Sequence, residues 1–136
     1  MERKNLNILL IEDDKIEVIK LQRAIALEFK DFQFSLAKNG SEALNILQSE
    51  QYNIILLDLN MPDTNGLEFL TILKNNEDLK HIPVIVLTTS DNEKDIYECY
   101  KLGIAGYLLK PLKYEDYELK IKTIMKYWSL NEFIPL

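Results

Sequence analysis

Ile54-Ile55-Leu56-Leu57-Asp58 sets the fold: four apolar residues run straight into an acid. A strand that is apolar at every position has both faces buried, which is the mark of a parallel sheet covered on two sides. Working outward, three more runs share this design. Ile8-Leu9-Leu10-Ile11 leads into Glu12-Asp13-Asp14, Val84-Ile85-Val86-Leu87 into Thr88, and Tyr107-Leu108-Leu109 into Lys110-Pro111. Phe32, Phe34 and Leu36 alternate with Gln33 and Ser35, as a half-exposed edge strand would.

Helical patterns separate these strands. The first strand is expected over 7–12, with Asp14 as N-cap and Glu17 completing a capping box. Ile16, Ile19 and Ala24 are then the expected inner face of the first helix. Asn39-Gly40 marks a turn ahead of Ala43, Leu44 and Leu47, and Leu67, Leu70 and Leu73 carry the third helix. Ser90 with Glu93 predicts a capping box for a helix over 91–102, stopped by Gly103. A fifth strand is expected over 105–109. Tyr114, Tyr117, Ile121, Ile124 and Trp128 keep helical spacing towards the chain end. Such alternation implies right-handed crossovers and an α/β fold with helices on both faces.

Length and charge narrow the function. A chain of 136 residues predicts one domain, with no effector domain after it and a short apolar tail over 129–136. A net charge of −6 without a basic block argues against direct nucleic-acid binding. The apolar runs are too short to insert in a membrane. One cysteine, Cys99, fits a reducing compartment, so a cytoplasmic location is expected. His81 is given no role, and Cys99 is read as a packing residue.

The strand ends carry the chemistry. In a parallel sheet they lie at one carboxyl edge, where open α/β sheets bind their ligands. Acids, a hydroxyl and an ammonium meeting there make a site for a divalent cation and a phosphoryl group. Asp58 is too early to cap the next helix, because Asn60, Pro62, Asp63 and Thr64 intervene. A carboxylate in such a place can act as nucleophile and form an aspartyl phosphate. Glu12 and Asp13 supply the hard oxygen donors that Mg²⁺ takes. Lys110 can pair with Asp58 or with a phosphoryl oxygen, and the Thr88 hydroxyl is placed to hydrogen-bond one.

Glu12-Asp13, Asp58, Thr88 and Lys110-Pro111, with the loop Asp58-Leu59-Asn60-Met61-Pro62-Asp63-Thr64-Asn65-Gly66, resemble the receiver domains of two-component response regulators over nearly all of 5–128. The resemblance implies a flavodoxin-like, doubly wound five-stranded parallel sheet in the order 2-1-3-4-5, for which receivers are a standard example. It implies that Asp58 is the phosphoacceptor. Asp13, Asp58 and the backbone carbonyl of Asn60 would hold Mg²⁺ (or Mn²⁺), with Glu12 acting through a metal-bound water. Lys110 would contact the phosphoryl group, the Lys110–Pro111 bond would be cis, and Thr88 and Tyr107 would form the switch pair. A sensor histidine kinase or a histidine phosphotransfer protein would be the donor. The output would be altered binding of a downstream protein at the face made by helix 4, strand 5 and helix 5, with a homodimer through that face as a further option.

Two other readings stand beside this one. The chain could be a phosphorelay intermediate that passes its phosphoryl group to another histidine. A phosphohydrolase of the haloacid-dehalogenase type also uses a strand-end Asp, but it carries a second Asp where this chain has Asn60. The expectation is therefore a switch that loses its own phosphoryl group to water, with no turnover of external substrates.

Overall fold

A computed structural model describes residues 4–26, 28–59 and 65–135. Five strands and five helices alternate: β1 (Asn7–Ile11), α1 (Lys15–Ile25), β2 (Gln33–Ala37), α2 (Gly40–Ser49), β3 (Ile54–Leu57), α3 (Gly66–Lys74), β4 (Val84–Thr88), α4 (Glu93–Lys101), β5 (Gly106–Leu109) and α5 (Tyr114–Ser129). The strands are parallel in the order β2-β1-β3-β4-β5. This is the flavodoxin-like arrangement expected from the sequence.

The period of two along a strand sorts the core into two layers. Leu9, Ile11, Ile55, Leu57, Val84 and Val86 face α2, α3 and α4, where they meet Ala43, Leu47, Phe69, Leu70, Leu73 and Cys99. Ile8, Leu10, Ile54, Leu56, Ile85 and Leu87 face α1 and α5, meeting Leu21, Ala24, Ile25, Tyr117, Ile121 and Met125. All four residues of β3 are buried, as its unbroken apolar run requires. Burial of this kind contributes about 25 cal/mol per Å² of apolar surface, the main term holding the layers together.

Three local expectations need correction. In α1, Ile16 and Ile19 are 68% and 52% exposed. The inner stripe is instead Leu21, Ala24 and Ile25, with Val18 packed against it. These positions follow the helical spacing of three and four residues that faces β1 and α5. The α4 helix starts at Glu93 rather than near 91. Its N-cap is Asn92, which accepts from the Lys94 N–H at 2.8 Å, while the Ser90 hydroxyl donates to Asp95 Oδ2. Among the described residues no peptide bond is cis, so Lys110–Pro111 is trans. Trans is the lower-energy form of an X–Pro bond by about 0.5–1 kcal/mol. The Lys110 N–H also continues the β4–β5 ladder to the Thr88 carbonyl at 2.8 Å without a cis turn.

The helix stop at Gly103 stands, with φ of 99° in the left-handed region that suits glycine. The C-terminal segment folds back on its own domain. Phe133 packs beside Trp128, and Lys4 pairs with Glu132 and donates to the Asn131 carbonyl.

Candidate functional site

The parallel register places every strand end on one rim. The Glu12 N–H still donates to the Ala37 carbonyl, so β1 delivers Glu12 to the sheet edge in a fixed direction. The Asp58 N–H likewise donates to the Ile11 carbonyl, which sets β3's acid next to β1's. Asp14 leaves this group as expected: it caps α1 by accepting from the Ile16 N–H at 2.8 Å. Asn65 caps α3, so Asp58 has no capping duty there.

Carboxylate oxygens of Glu12, Asp13 and Asp58 lie within 4.8 Å of one another. Asn60, named with them from the sequence, lies outside the described residues, as do Met61, Pro62, Asp63 and Thr64. Glu12 is buried, Asp58 half-buried and Asp13 exposed, so the cluster opens to solvent on the Asp13 side. The donors are hard oxygens from two strand ends, and this set suits a divalent cation such as Mg²⁺ or Mn²⁺.

Lys110 reaches across from β5. Its Nζ lies 3.0 Å from Glu12 Oε1, with the two side chains only 9% and 5% exposed. Burial pushes the Glu12 carboxyl up to about 7, and the Asp58 charge adds to the rise while Lys110 opposes it. Burial would lower the Lys110 ammonium, yet Glu12, Asp58 and Glu17 outweigh it and the net direction is up. The two directions are compatible. Several carboxylates crowd one ammonium, so the lysine keeps its proton while burial and the Asp58 charge make Glu12 a weaker acid than usual. A cation at the cluster would relieve that excess negative charge.

Thr88 ends β4 fully buried, and its Oγ1 accepts from the Ser90 N–H at 3.3 Å. Tyr107 is opposite Val86 in the β4–β5 register, and its hydroxyl donates to the Ser90 carbonyl at 2.8 Å. Both members of the expected switch pair therefore grip the same short loop between β4 and α4. Ser90 in turn holds Asp95 in the first turns of α4.

Gly66 packs closely against the residue that follows Asp58. A Cβ there would come within 2.8 Å of Leu59 Cδ2 and 2.9 Å of Leu59 Cα. Only glycine lets the start of α3 lie this close to the residue that follows Asp58.

Two participants were expected from the sequence only as capping residues. Glu17 does not complete a capping box; its carboxylate sits between Lys110 and Lys20, 3.6 Å from each ammonium. Ser90 is the shared anchor of Thr88 and Tyr107 rather than a helix cap. Cys99 is buried in the core, where burial and then Asp95 and Glu98 push its thiol up to about 11, in keeping with a packing role.

The family model described as the response regulator receiver domain matches residues 8–122. Response regulator Rcp1 of Synechocystis sp. is 38% identical over 135 residues, covering 94% of this chain and 92% of that protein. A probable methanogenesis regulatory protein, FilR2 of Methanothrix harundinacea, is 33% identical over 127 residues, covering 89% and 82%. Among solved structures, the phosphorylated cyanobacterial phytochrome response regulator RcpA superposes with a TM-score of 0.90 at 32% identity, covering 97% of this chain and 99% of that one. The Mn²⁺-bound form of Rcp1 gives 0.88 at 36% identity, covering 96% and 99%. With its strand order, its acidic rim and this match over most of its length, the chain belongs to the response regulator receiver domain family.

Proposed function

We propose that this protein is a stand-alone two-component response regulator whose Asp58 accepts a phosphoryl group from a histidine kinase or phosphotransfer protein. The observation that carries the reading is the meeting of Glu12, Asp13 and Asp58 within 4.8 Å beside the Lys110 ammonium. Asp13, Asp58 and the Asn60 carbonyl would hold Mg²⁺ or Mn²⁺, with Glu12 acting through water. The bound cation would supply positive charge against the phosphoryl oxygens. The existence of a Mn²⁺-bound Rcp1 and a phosphorylated RcpA supports both parts of the reading.

An Asp58 carboxylate oxygen forms a bond to phosphorus as the bond from phosphorus to the donor's imidazole nitrogen breaks. The nitrogen leaves with the electron pair. Transfer of this kind rests on positioning and charge stabilisation, which Lys110 provides from the chain itself. Water later attacks the same phosphorus and frees the Asp58 carboxylate, so the state is reset without an external substrate.

The output is a population shift. Thr88 turns its hydroxyl to a phosphoryl oxygen, giving up the Ser90 N–H, and the β4–α4 loop that also holds Tyr107 is released. The change reaches the α4–β5–α5 face, where Tyr97, Tyr100, Leu112 and Leu119 are exposed. Exposed aromatic and aliphatic side chains of this kind suit a protein partner, with a homodimer as one form of it. The relay reading, in which the phosphoryl group passes on to another histidine, uses the same chemistry in reverse. A haloacid-dehalogenase-type hydrolase is disfavoured by Asn60, since it lacks that enzyme's acid–base Asp.

The test is labelling by acetyl phosphate, followed by intact-protein mass. Wild type gains one phosphoryl group with Mg²⁺ and none with EDTA, and Asp58→Asn gains none. Full labelling of that variant would sink the assignment.

A further inference from the structure

Lys110 is shared between two acids, and the second, Glu17, has no part in the metal cluster. It stands in the first turn of α1, three residues after the Asp14 cap. Its Oε2 is buried, 3.6 Å from Lys110 Nζ, and makes no hydrogen bond among the described residues. Its Oε1 lies 3.6 Å from Lys20 Nζ. Lys20 in turn sits over the Tyr117 ring of α5, 4.9 Å from the ring centre. One carboxylate is thus contested by two ammonium groups, and neither contact is as short as the 3.0 Å pair between Lys110 and Glu12.

We propose that Glu17 is a resting-state anchor for Lys110: it helps hold the ammonium on the α1 side of the rim, and Lys20 weakens that hold by competing for the same carboxylate. The proposal rests on Asp58 being the phosphoacceptor that Lys110 serves. To meet the developing charge on a phosphoryl group, Lys110 must exchange its carboxylate partners for phosphoryl oxygens. Every interaction that favours the resting position and weakens on transfer raises the barrier to phosphorylation. Glu17 is such an interaction, made by a residue that touches neither the cation site nor the phosphoryl site. It is a positioning residue, acting only through Lys110. Once Lys110 leaves, Glu17 turns to Lys20 alone, which links the state of the rim to the α1–α5 contact through Tyr117.

Opposite signs separate this from a structural role. Acetyl phosphate with Mg²⁺ serves as donor, so no protein has to dock on α1. Glu17→Gln keeps the shape and removes the charge, and it should be labelled about fivefold faster, which corresponds to a long ion pair worth about 1 kcal/mol, the top of the range for exposed pairs. Lys20→Met frees Glu17 for Lys110 and should be labelled about twofold slower, at the lower end of the same range. The double variant should match Glu17→Gln, because Glu17 is the contact that connects Lys20 to Lys110. Wild-type labelling with an unchanged or slower Glu17→Gln rate overturns the anchor and leaves the phosphoacceptor assignment intact. A faster Lys20→Met rate overturns it as well. Absence of Mg²⁺-dependent labelling in the wild type removes the phosphoacceptor assignment and the anchor with it.

Discussion

Glu12→Gln should stabilise the metal-free protein at alkaline pH and do little at acid pH. Glu12 is 5% exposed, and its carboxyl titrates at about 7 rather than at the ordinary 4.5. Below 4.5 the group is protonated in the folded and unfolded chains alike, and its full stabilising contribution is present. Between 4.5 and about 7 only the folded chain holds the proton, so stability falls as pH rises. Above about 7 the loss is complete. Each pH unit in this window is worth about 1.4 kcal/mol, so the whole interval amounts to about 3 kcal/mol. The glutamine variant behaves as a permanently protonated acid and lacks this decline. Its advantage over wild type should grow from near zero at pH 4.5 to about 3 kcal/mol at pH 8, or about 10 °C in melting temperature for a domain of this size. Urea titrations of both proteins in EDTA across that range give the difference directly. A stability gap that does not change with pH would refute the reasoning, because it would mean that Glu12 is ionised in the folded state throughout.

Other consequences follow from single contacts. Gly66→Ala forces a Cβ against Leu59 backbone and should cost about 1–3 kcal/mol in urea unfolding, since the Leu59 Cα cannot swing aside. Tyr107→Phe removes the hydroxyl that donates to Ser90 and should cost about 1 kcal/mol, with amide exchange in 89–95 accelerating more than elsewhere. Mg²⁺ at 100 times its dissociation constant should add about 2.7 kcal/mol to wild-type stability at pH 8, and EDTA should remove it. Asp13→Asn should lose most of that gain, as thermal unfolding of each protein with Mg²⁺ and with EDTA would show.

Much of this arrangement is written in local sequence. A four-residue apolar run between polar residues is too short for a helix and fits a strand with two covered faces, so Ile54–Leu57 pointed to the parallel sheet and its two helix layers. The strand ends also placed Glu12, Asp13 and Asp58 together with Lys110 beside Glu12, while Thr88 at the end of β4 bonds Ser90. What local reading missed depends on tertiary competition. Ile16 and Ile19 look like core residues, but α1 turns Leu21, Ala24 and Ile25 to the core and leaves both isoleucines exposed. Asp14 and Glu17 have the spacing of a capping box, yet a lysine from the far end of the chain outcompetes the local N–H for the Glu17 carboxylate. Ser90 has the same ambiguity: its hydroxyl finds Asp95, and its backbone serves Thr88 and Tyr107. Side chains with two satisfactory partners cannot be assigned from spacing alone.

The central claim is that the phosphoryl group arrives on Asp58 and needs the cation site to do so. Borohydride reduction of an aspartyl phosphate leaves homoserine at the modified position, which peptide mass spectrometry can read. After treatment with acetyl phosphate and Mg²⁺, homoserine should appear at position 58, and it should be absent when EDTA replaces Mg²⁺. Homoserine at another acid, or equal conversion at 58 in EDTA, would contradict the account.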